Sequence, residues 1–415
     1  MSALHGGSLS LLFGVMLELA LVACSPKQSE GALPFAPAGP EAAPDPMLPG
    51  PFPVGVVTLD YHDESRPDPR TQQARLVRTE IWYPAVQSAR LEPSWSYDLK
   101  QEANPPIDLG DRREELLAAD IPPISSTAVR EAEIDRANGP YPLVLFSPGA
   151  YSLRFQYLFY TEHLASHGFV VAVPDHAGNT LWDLLRDGQD AEAMGRSVED
   201  RPKDLRLVLN QVEKALANRD SFLYGMVDLA HVAASGHSFG GYTAMAAGCL
   251  DTRLGWVISF APLLRPLSAA DCPIESYPLP VMMMGGTDDR TILWEDQACP
   301  YLSIAGVEKY LVEIDRAGHF TFCDLCRLGA SGISFVNWPD IEQDGCSPTE
   351  NIPYDEAQKV VVYYATAFAN GKLRSSPSSA ALLRDRDDGL FVSVDFIIGN
   401  DGFDGPDGGC EDAGD

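Results

Sequence analysis

The stretch GHSFG, residues 236–240, decides which fold this chain can adopt. An apolar run at residues 232–235 precedes it and predicts a strand, while the small residues at 241–247 predict a helix. A G-x-S-x-G sequence between a strand and a helix is typical of a strained turn that exposes a serine hydroxyl. Glycines are needed there because flanking side chains would collide with neighbouring backbone. The stretch therefore predicts Ser238 as a nucleophile at a strand-to-helix turn.

Apolar runs alternate with helical patterns on both sides of this turn. Strands are predicted at residues 56–59, 76–83, 143–146, 169–173, 232–235, 256–261, 281–284 and 310–314. Helices are predicted near residues 114–117, before Gly168, over 200–219 with Asp200-Arg201-Pro202 as its capped start, and over 355–369. This alternation predicts an α/β fold with a mostly parallel central sheet and helices on both faces.

A serine hydroxyl needs a base to take its proton, and the sequence offers one candidate. In this fold the triad follows the chain order Ser, acid, His. His319 is the one histidine after Ser238, and it follows the strand predicted at 310–314. Ligands bind at the carboxyl ends of such strands, so His319 is predicted to be the base.

The acid is predicted at the end of the strand VMMMGGTDD, residues 281–289. Hydrolases of this fold commonly carry the acid three residues after the loop glycine. Counting from Gly286 gives Asp289, which is favoured, and counting from Gly285 gives Asp288, which stays open. The acid would fix the tautomer of the histidine and stabilise its protonated form.

An acyl-transfer site also needs hydrogen-bond donors for an oxyanion. The backbone N–H of Phe239, directly after the nucleophile, is one expected donor. The N–H of Ala150, in the loop SPGAY at residues 147–151, is the other, although this loop is equally compatible with an ordinary turn. Such a site needs no cofactor and no metal, because nucleophile, base and oxyanion donors are all supplied by the chain.

Charge and cysteines restrict partners and metals. With 30 basic and 59 acidic residues the formal charge is -29, which excludes nucleic acid and favours neutral or zwitterionic substrates, unless the acidity serves solubility alone. Cys323 and Cys326 have the spacing of a metal or redox motif but lack a second pair, so a local disulfide to Cys346 is favoured. If Cys24 carries lipid, seven cysteines remain, and an odd number leaves at least one thiol unpaired.

The N-terminus has the pattern of an export signal. Residues 9–22 are mostly apolar but contain Glu18, and they lead into LVAC at residues 21–24, which resembles a bacterial lipobox. Cys24 would then carry lipid, although no Lys or Arg precedes the apolar run; an ordinary signal peptide or a misassigned start is the alternative. The expected organisation is a leader at 1–24, a Pro/Ala-rich tether at 25–53, a catalytic domain at 54–372 and an acidic, solvated tail at 373–415.

Several motifs together resemble the platelet-activating factor acetylhydrolase-like and dienelactone hydrolase-like proteins of the α/β-hydrolase superfamily. They are TEIWYPA at 79–85, YPLVLFSPG at 141–149, LASHGF at 164–169, PDH at 174–176, GHSFGG at 236–241, GGTDD at 285–289 and AGHF at 317–320. The resemblance covers roughly residues 54–372. The cysteine-rich region after His319 and the acidic tail depart from the family pattern.

This resemblance implies a serine esterase with a Ser-His-Asp triad that acts on short-acyl phospholipids or small neutral esters. Cutinases that cleave polyesters are similar around residues 147–149 and 164–169, and lipase or peptidase activity stays open, although no large helical cap is evident. The nucleophile of dienelactone hydrolases is cysteine, which Ser238 excludes. A surface lipoprotein that uses the fold only for binding is the non-enzymatic alternative. The expected location is the bacterial cell envelope, at the periplasmic or outer-membrane face, or outside the cell.

Substitution Cys24→Ser tests the lipid-anchor hypothesis. Expressed in a bacterium with its own leader, the protein should partition with membranes, because two or more acyl chains on Cys24 give stable anchoring. The Cys24→Ser variant should be released or misprocessed, as measured by membrane fractionation and intact-mass analysis of the N-terminus. Recovery of the parent chain as a wholly unmodified, unbound protein would contradict the hypothesis.

Overall fold

The computed structural model describes residues 45–103, 107–336, 341–383, 394–400, 403–406 and 409–410. These residues belong to one compact unit. Its strands are β1 Val54–Pro67, β2 Ala74–Pro84, β3 Ser96–Tyr97, β4 Ile124–Ser125, β5 Val129–Arg130, β6 Tyr141–Ser147, β7 Val170–Pro174, β8 Val227–His237, β9 Leu254–Phe260, β10 Val281–Gly286, β11 Lys309–Ile314 and β12 Val394–Ile398.

The α-helices flank these strands, and short 3-10 helices lie within several loops. The helices are α1 Leu99–Glu102, α2 Arg112–Ala118, α3 Leu158–Ser166, α4 Leu181–Asp187, α5 Ala191–Ala217, α6 Phe239–Leu250, α7 Trp294–Ser303, α8 Gly329–Val336, α9 Tyr354–Leu373 and α10 Pro377–Leu382. The 3-10 helices are Gln87–Leu91, Arg265–Ala270, Ile274–Ser276, His319–Phe322 and Asp324–Leu328.

Ten strands form one sheet in the order β12-β11-β10-β9-β8-β6-β7-β2-β1-β5. The strands from β7 through β6, β8, β9 and β10 to β11 are parallel to one another. The strands β2 and β12 run antiparallel at either side of this parallel block. The predicted mostly parallel sheet is confirmed, as are the predicted strands, although β1 and β8 are much longer than expected.

Apolar side chains cover both faces of the sheet. Along β6, Val144 and Phe146 belong to one hydrophobic cluster, whereas Leu143 and Leu145 belong to the other. Helices α3 and α9 contribute to the first cluster and helices α5 and α6 to the second. Because successive side chains of a strand point to opposite faces, an all-apolar strand such as β6 has to lie between two layers of helices.

The predicted start of the helix at Asp200 is wrong. Helix α5 begins at Ala191, where the Asp190 side chain accepts hydrogen bonds from two backbone amides, and Pro202 lies inside the helix. A proline there leaves the carbonyl four residues earlier without its helical donor. That carbonyl, of Val198, accepts a hydrogen bond from the Tyr242 hydroxyl at 2.8 Å instead. A contact between two helices thus lets α5 continue through the proline.

Contacts of the folded unit extend beyond residues 54 and 372, the ends expected for the catalytic domain. Before residue 54, the Leu48 carbonyl contacts His167 and the Gly50 amide donates to Ser166 on α3. After residue 372, helix α10 packs on α9 and β12 pairs with β11. The C-terminal segment therefore completes a sheet edge, although its composition predicts a solvated tail. Residues 1–44, which hold Cys24 and most of the expected tether, lie outside the described residues.

Three disulfides connect the described cysteines. They are Cys249–Cys272, Cys299–Cys410 and Cys326–Cys346. The local disulfide to Cys346 is confirmed with Cys326, and Cys323 is the buried free thiol that the odd count requires. The bond from α7 to Cys410 ties the acidic C-terminal segment to the domain, which is a second reason why that segment is not a free tail.

None of the helices in the described part of the chain reaches the length and apolarity that a bilayer crossing requires. Among the same residues, no group of three or more His, Cys, Asp or Glu side chains could hold a metal ion.

Candidate active site

Ser238 lies at the turn between β8 and α6 with φ 57° and ψ -123°. This is a backbone conformation that side-chain-bearing residues rarely adopt, and it is stable only where surrounding structure enforces it. A Cβ on Gly240 would lie 1.9 Å from the Ser147 carbonyl oxygen, and one on Gly236 would lie 2.1 Å from the Gly240 oxygen. The two glycines of the motif are therefore required by close backbone contacts, as the sequence indicates.

His319 and Asp289 form a buried pair at the carboxyl ends of β11 and β10. The distance from His319 Nδ1 to Asp289 Oδ2 is 2.8 Å. Asp289 also accepts hydrogen bonds from the amides of Thr291 and Ile292. Asp288 is half-buried, and its amide donates to the Ala317 carbonyl. The structure thus joins His319 to Asp289, the aspartate that the sequence favours.

The environment of His319 favours its protonated form. Burial disfavours the imidazolium, but the carboxylates of Asp289 and Asp344 outweigh it and raise the pKa of His319 above its ordinary value. An Nδ1–H that donates to Asp289 leaves Nε2 as the proton-accepting nitrogen of the neutral ring.

Ser238, His319, Phe239 and Ala150 all line one cavity of about 270 Å³. Most other side chains on its wall are apolar. They are Leu181, Leu184, Met194, Leu263, Ile292, Phe320, Leu325 and Val336. The cavity therefore combines the Ser238 hydroxyl and the His319 imidazole with a largely apolar surface that favours an apolar substrate group.

The loop that carries Ala150 is held on both sides. The Gly149 amide donates to the Tyr157 hydroxyl at 2.8 Å, and the Tyr151 amide donates to the Asn179 carbonyl at 3.0 Å. Both neighbouring amides have internal partners, and Ala150, the predicted donor, lines the cavity between them.

Arg201 supports this loop from behind, and sequence reasoning missed it. Its guanidinium donates to the carbonyls of Pro148 and Gly149 and to the Ser147 hydroxyl. It also lies 4.7 Å from the ring centroid of Phe239, so one cation contacts both segments with a candidate oxyanion donor. Arg201 belongs to the DRP stretch at 200–202, which the sequence pattern predicts to be the start of a helix. That interpretation gives the arginine no role in the site.

His237, inside the G-x-S-x-G motif, is a second residue that sequence reasoning missed. One ring nitrogen lies 3.0 Å from the Tyr157 hydroxyl and the other 3.1 Å from the His319 carbonyl. Burial and the neighbouring His319 keep the pKa of His237 well below its ordinary value. The ring is therefore a neutral bridge between the oxyanion loop and the loop of His319.

Comparisons with known proteins agree with this fold. Residues 135–338 match a family model described as PET hydrolase-like, and residues 46–214 match one described as platelet-activating factor acetylhydrolase, isoform II. Platelet-activating factor acetylhydrolases of Cavia porcellus and Canis lupus familiaris are similar, with 31% identity over 159 residues and 27% over 168 residues. The matches cover 31% and 32% of this chain, and 36% and 38% of those relatives.

A solved structure extends the similarity over most of the domain. The ferulic acid esterase from Streptomyces cinnamoneus superimposes with a TM-score of 0.63 at 26% sequence identity, covering 83% of this chain and 96% of that one. The resemblance to acetylhydrolase-like esterases is thus confirmed, and the chain has the α/β-hydrolase fold. Since the matched segment spans little more than a third of the curated relatives, their activity is carried to this chain only as a proposal.

Separate replacement of Asp288 and Asp289 tests which of the two aspartates is the acid partner of His319. Asp289→Asn should lower the rate of aryl-ester hydrolysis by about four orders of magnitude, because the amide no longer fixes the required tautomer of His319. The control variant Asp288→Asn should change kcat/KM little. The reverse ranking of the two variants would assign the role of the acid to Asp288.

Proposed function

We propose that this chain, an α/β hydrolase similar to platelet-activating factor acetylhydrolases, is a serine carboxylic-ester hydrolase. The observation that carries the proposal is the position of Ser238 on a strained turn, in the same apolar cavity as the His319–Asp289 pair. Nucleophile, base and acid then come from three different sheet strands at their carboxyl ends, where ligands bind in such sheets.

In the proposed reaction, His319 Nε2 removes the proton from Ser238 Oγ while that oxygen bonds to the ester carbonyl carbon. The negative charge that develops on the carbonyl oxygen is stabilised by the N–H groups of Phe239 and Ala150. The imidazolium then gives its proton to the departing alcohol, leaving an acyl group on Ser238. Water, deprotonated by the same imidazole, attacks this acyl group and releases the acid.

Asp289 acts through His319. It accepts the Nδ1–H bond, keeps Nε2 free to take the serine proton, and stabilises the imidazolium without becoming protonated itself. The buried position of the pair strengthens this effect, because water does not screen it.

The cavity supports a small acyl group. Its volume of about 270 Å³ and its apolar wall suit a short or compact acyl chain, and similarity to the acetylhydrolases suggests a short-acyl phospholipid. Similarity to PET hydrolase-like proteins and to a ferulic acid esterase supports an aromatic acyl group as the second candidate. In either case the alcohol would be neutral or zwitterionic, because the charge of -29 disfavours polyanions.

The proposed location is the bacterial cell envelope, with acyl chains on Cys24 as the anchor. The sequence LVAC at residues 21–24 supports it, and an acidic domain would itself be repelled by anionic lipid. A secreted enzyme without lipid is the alternative.

A substrate panel on the parent and on Ser238→Ala tests the proposed function. The parent should hydrolyse aryl acetate and butyrate far faster than aryl palmitate, and the comparison includes a short-acyl phosphatidylcholine and a feruloyl ester. Ser238→Ala should lose about five to six orders of magnitude in turnover because the nucleophile is absent. A fluorophosphonate probe that labels both proteins equally would contradict the assignment of Ser238, and a parent inactive on every ester would favour a binding protein.

The rate should depend on pH through His319. Only the neutral imidazole can take the serine proton, so kcat/KM should decrease as the pH falls through the pKa of His319. Because this pKa is raised above 6.5, half of the maximal rate should be lost at a pH above that value. Full activity at pH 4 would require a different base.

A further inference from the structure

One buried carboxylate near the active site has no part in the mechanism proposed above. Asp344 lies in the turn Glu342–Cys346, in the cysteine-rich region after His319, and is 1% exposed. Neither the motifs of the chain nor the order of its strands indicates it.

Asp344 is bonded to the loops of both the acid and the base. Its Oδ1 accepts hydrogen bonds from the backbone amides of His319, at 2.8 Å, and Arg290, at 3.0 Å. Its Oδ2 accepts a hydrogen bond from the Thr291 hydroxyl at 2.7 Å. Since Arg290 and Thr291 directly follow Asp289, one side chain connects the two loops whose separation sets the His319–Asp289 hydrogen bond.

The backbone around Asp344 is packed too closely to move independently. A Cβ on Gly318 would lie 2.4 Å from the Asp344 carbonyl carbon. The Gly345 amide donates to the buried Asn351 side chain at 2.9 Å, and Cys346 is joined to Cys326. Since Cys326 follows His319 closely in the chain, the disulfide holds the Asp344 turn against the segment of the base.

The contacts of Asp344 favour its carboxylate form. Three donors point at its two oxygens, and a carboxylate is an acceptor at both of them. Burial raises the pKa of Asp344 above its ordinary value, and the neighbouring Asp289 adds to this; the amides of Arg290 and His319 and the charge of His319 act in the opposite direction.

The other titratable groups near His319 contribute little charge. The pKa of His237 is held well below its ordinary value by burial and His319, so this ring is neutral. Burial raises the pKa of the Cys323 thiol to about 12, so it is also neutral. The guanidinium of Arg290 contacts Glu350, and that of Arg316 contacts the carbonyls of Glu350 and Asn351. Asp289 and Asp344 are therefore the two anions that act on the imidazole.

We propose that Asp344, held in place by the Cys326–Cys346 disulfide, is a positioning residue of the catalytic site. It fixes the acid loop against the base loop, and its negative charge stabilises the imidazolium that forms when His319 takes the serine proton. This inference rests on the proposed ester-hydrolase function and adds to it a role for the cysteine-rich region after His319.

Two substitutions at Asp344 separate its charge from its hydrogen bonds. Asp344→Asn keeps an acceptor for the two amides and removes the charge, so the acid limb of the kcat/KM profile should move to lower pH by about one pH unit. Asp344→Ala also removes the connection between the loops, so kcat should fall by about 10- to 100-fold with a smaller change in KM. Circular dichroism checks that both variants fold. If Asp344→Ala does not fold, Asp344→Asn alone tests the proposal.

The disulfide has a matched control in the same chain. The double variant Cys326→Ser/Cys346→Ser should reproduce the loss of kcat and the shift of the acid limb. The control Cys299→Ser/Cys410→Ser, which removes a disulfide outside the catalytic loops, should keep the kcat and the pH profile of the parent. An unchanged acid limb in Asp344→Asn, or equal kinetics of the two disulfide variants, would overturn the proposal.

The tests distinguish this inference from the proposed function on which it rests. If Ser238→Ala abolishes hydrolysis but Asp344→Asn behaves as the parent does, only the positioning role fails. If Ser238→Ala retains full activity, the serine-hydrolase mechanism fails, and the positioning role fails with it.

Discussion

The site depends on the contact between the end of β6 and the start of α6, where the backbones are closer than any side chain would permit. Gly240 packs against the Ser147 carbonyl, and Gly236 packs against Gly240. This contact holds Ser238 at a positive φ and, because Ser147 begins the oxyanion loop, sets the position of Ala150 relative to the nucleophile. One backbone contact thus places the hydroxyl and both candidate oxyanion donors together.

A buried polar network supports that contact from the side away from the cavity. The Ser147 hydroxyl lies 2.9 Å from His176, and His176 lies 2.9 Å from Asp204. Asp204 accepts two hydrogen bonds from Arg75 on β2, and Arg201 on α5 donates to the same loop as Ser147. Burial lowers the pKa of His176 to about 3, so this ring stays neutral. Its Nε2 can then accept a hydrogen bond from the Ser147 hydroxyl. A buried hydrogen-bonded network of this kind rigidifies its surroundings, which suits a loop that must present one amide.

The two sides of the cavity are supported differently. The oxyanion side is held by residues of strands and helices, including Arg75 on β2 and Arg201 on α5. The side of His319 is held by a loop region with the Cys326–Cys346 disulfide and Asp344. Loops lack the regular hydrogen bonds of strands, so a disulfide and a carboxylate with three donors provide the missing constraints. His237 contacts both sides through Tyr157 and the His319 carbonyl.

The amino-acid sequence predicts the parallel sheet, the strained turn at Ser238, His319 as the partner histidine and Asp289 as the favoured acid. These follow from local patterns, namely apolar runs, glycines at fixed spacing and chain order. Long-range packing accounts for the course of α5 through Pro202, the pairing of β12 with the sheet and the placement of Arg201, His237 and Asp344. The partners of those residues lie far away in the chain or on other elements, and a buried charge is recognised by its partners rather than by its neighbours in sequence. The spacing of charged residues along the chain does not indicate which groups they contact, whereas the pattern of apolar residues follows directly from burial.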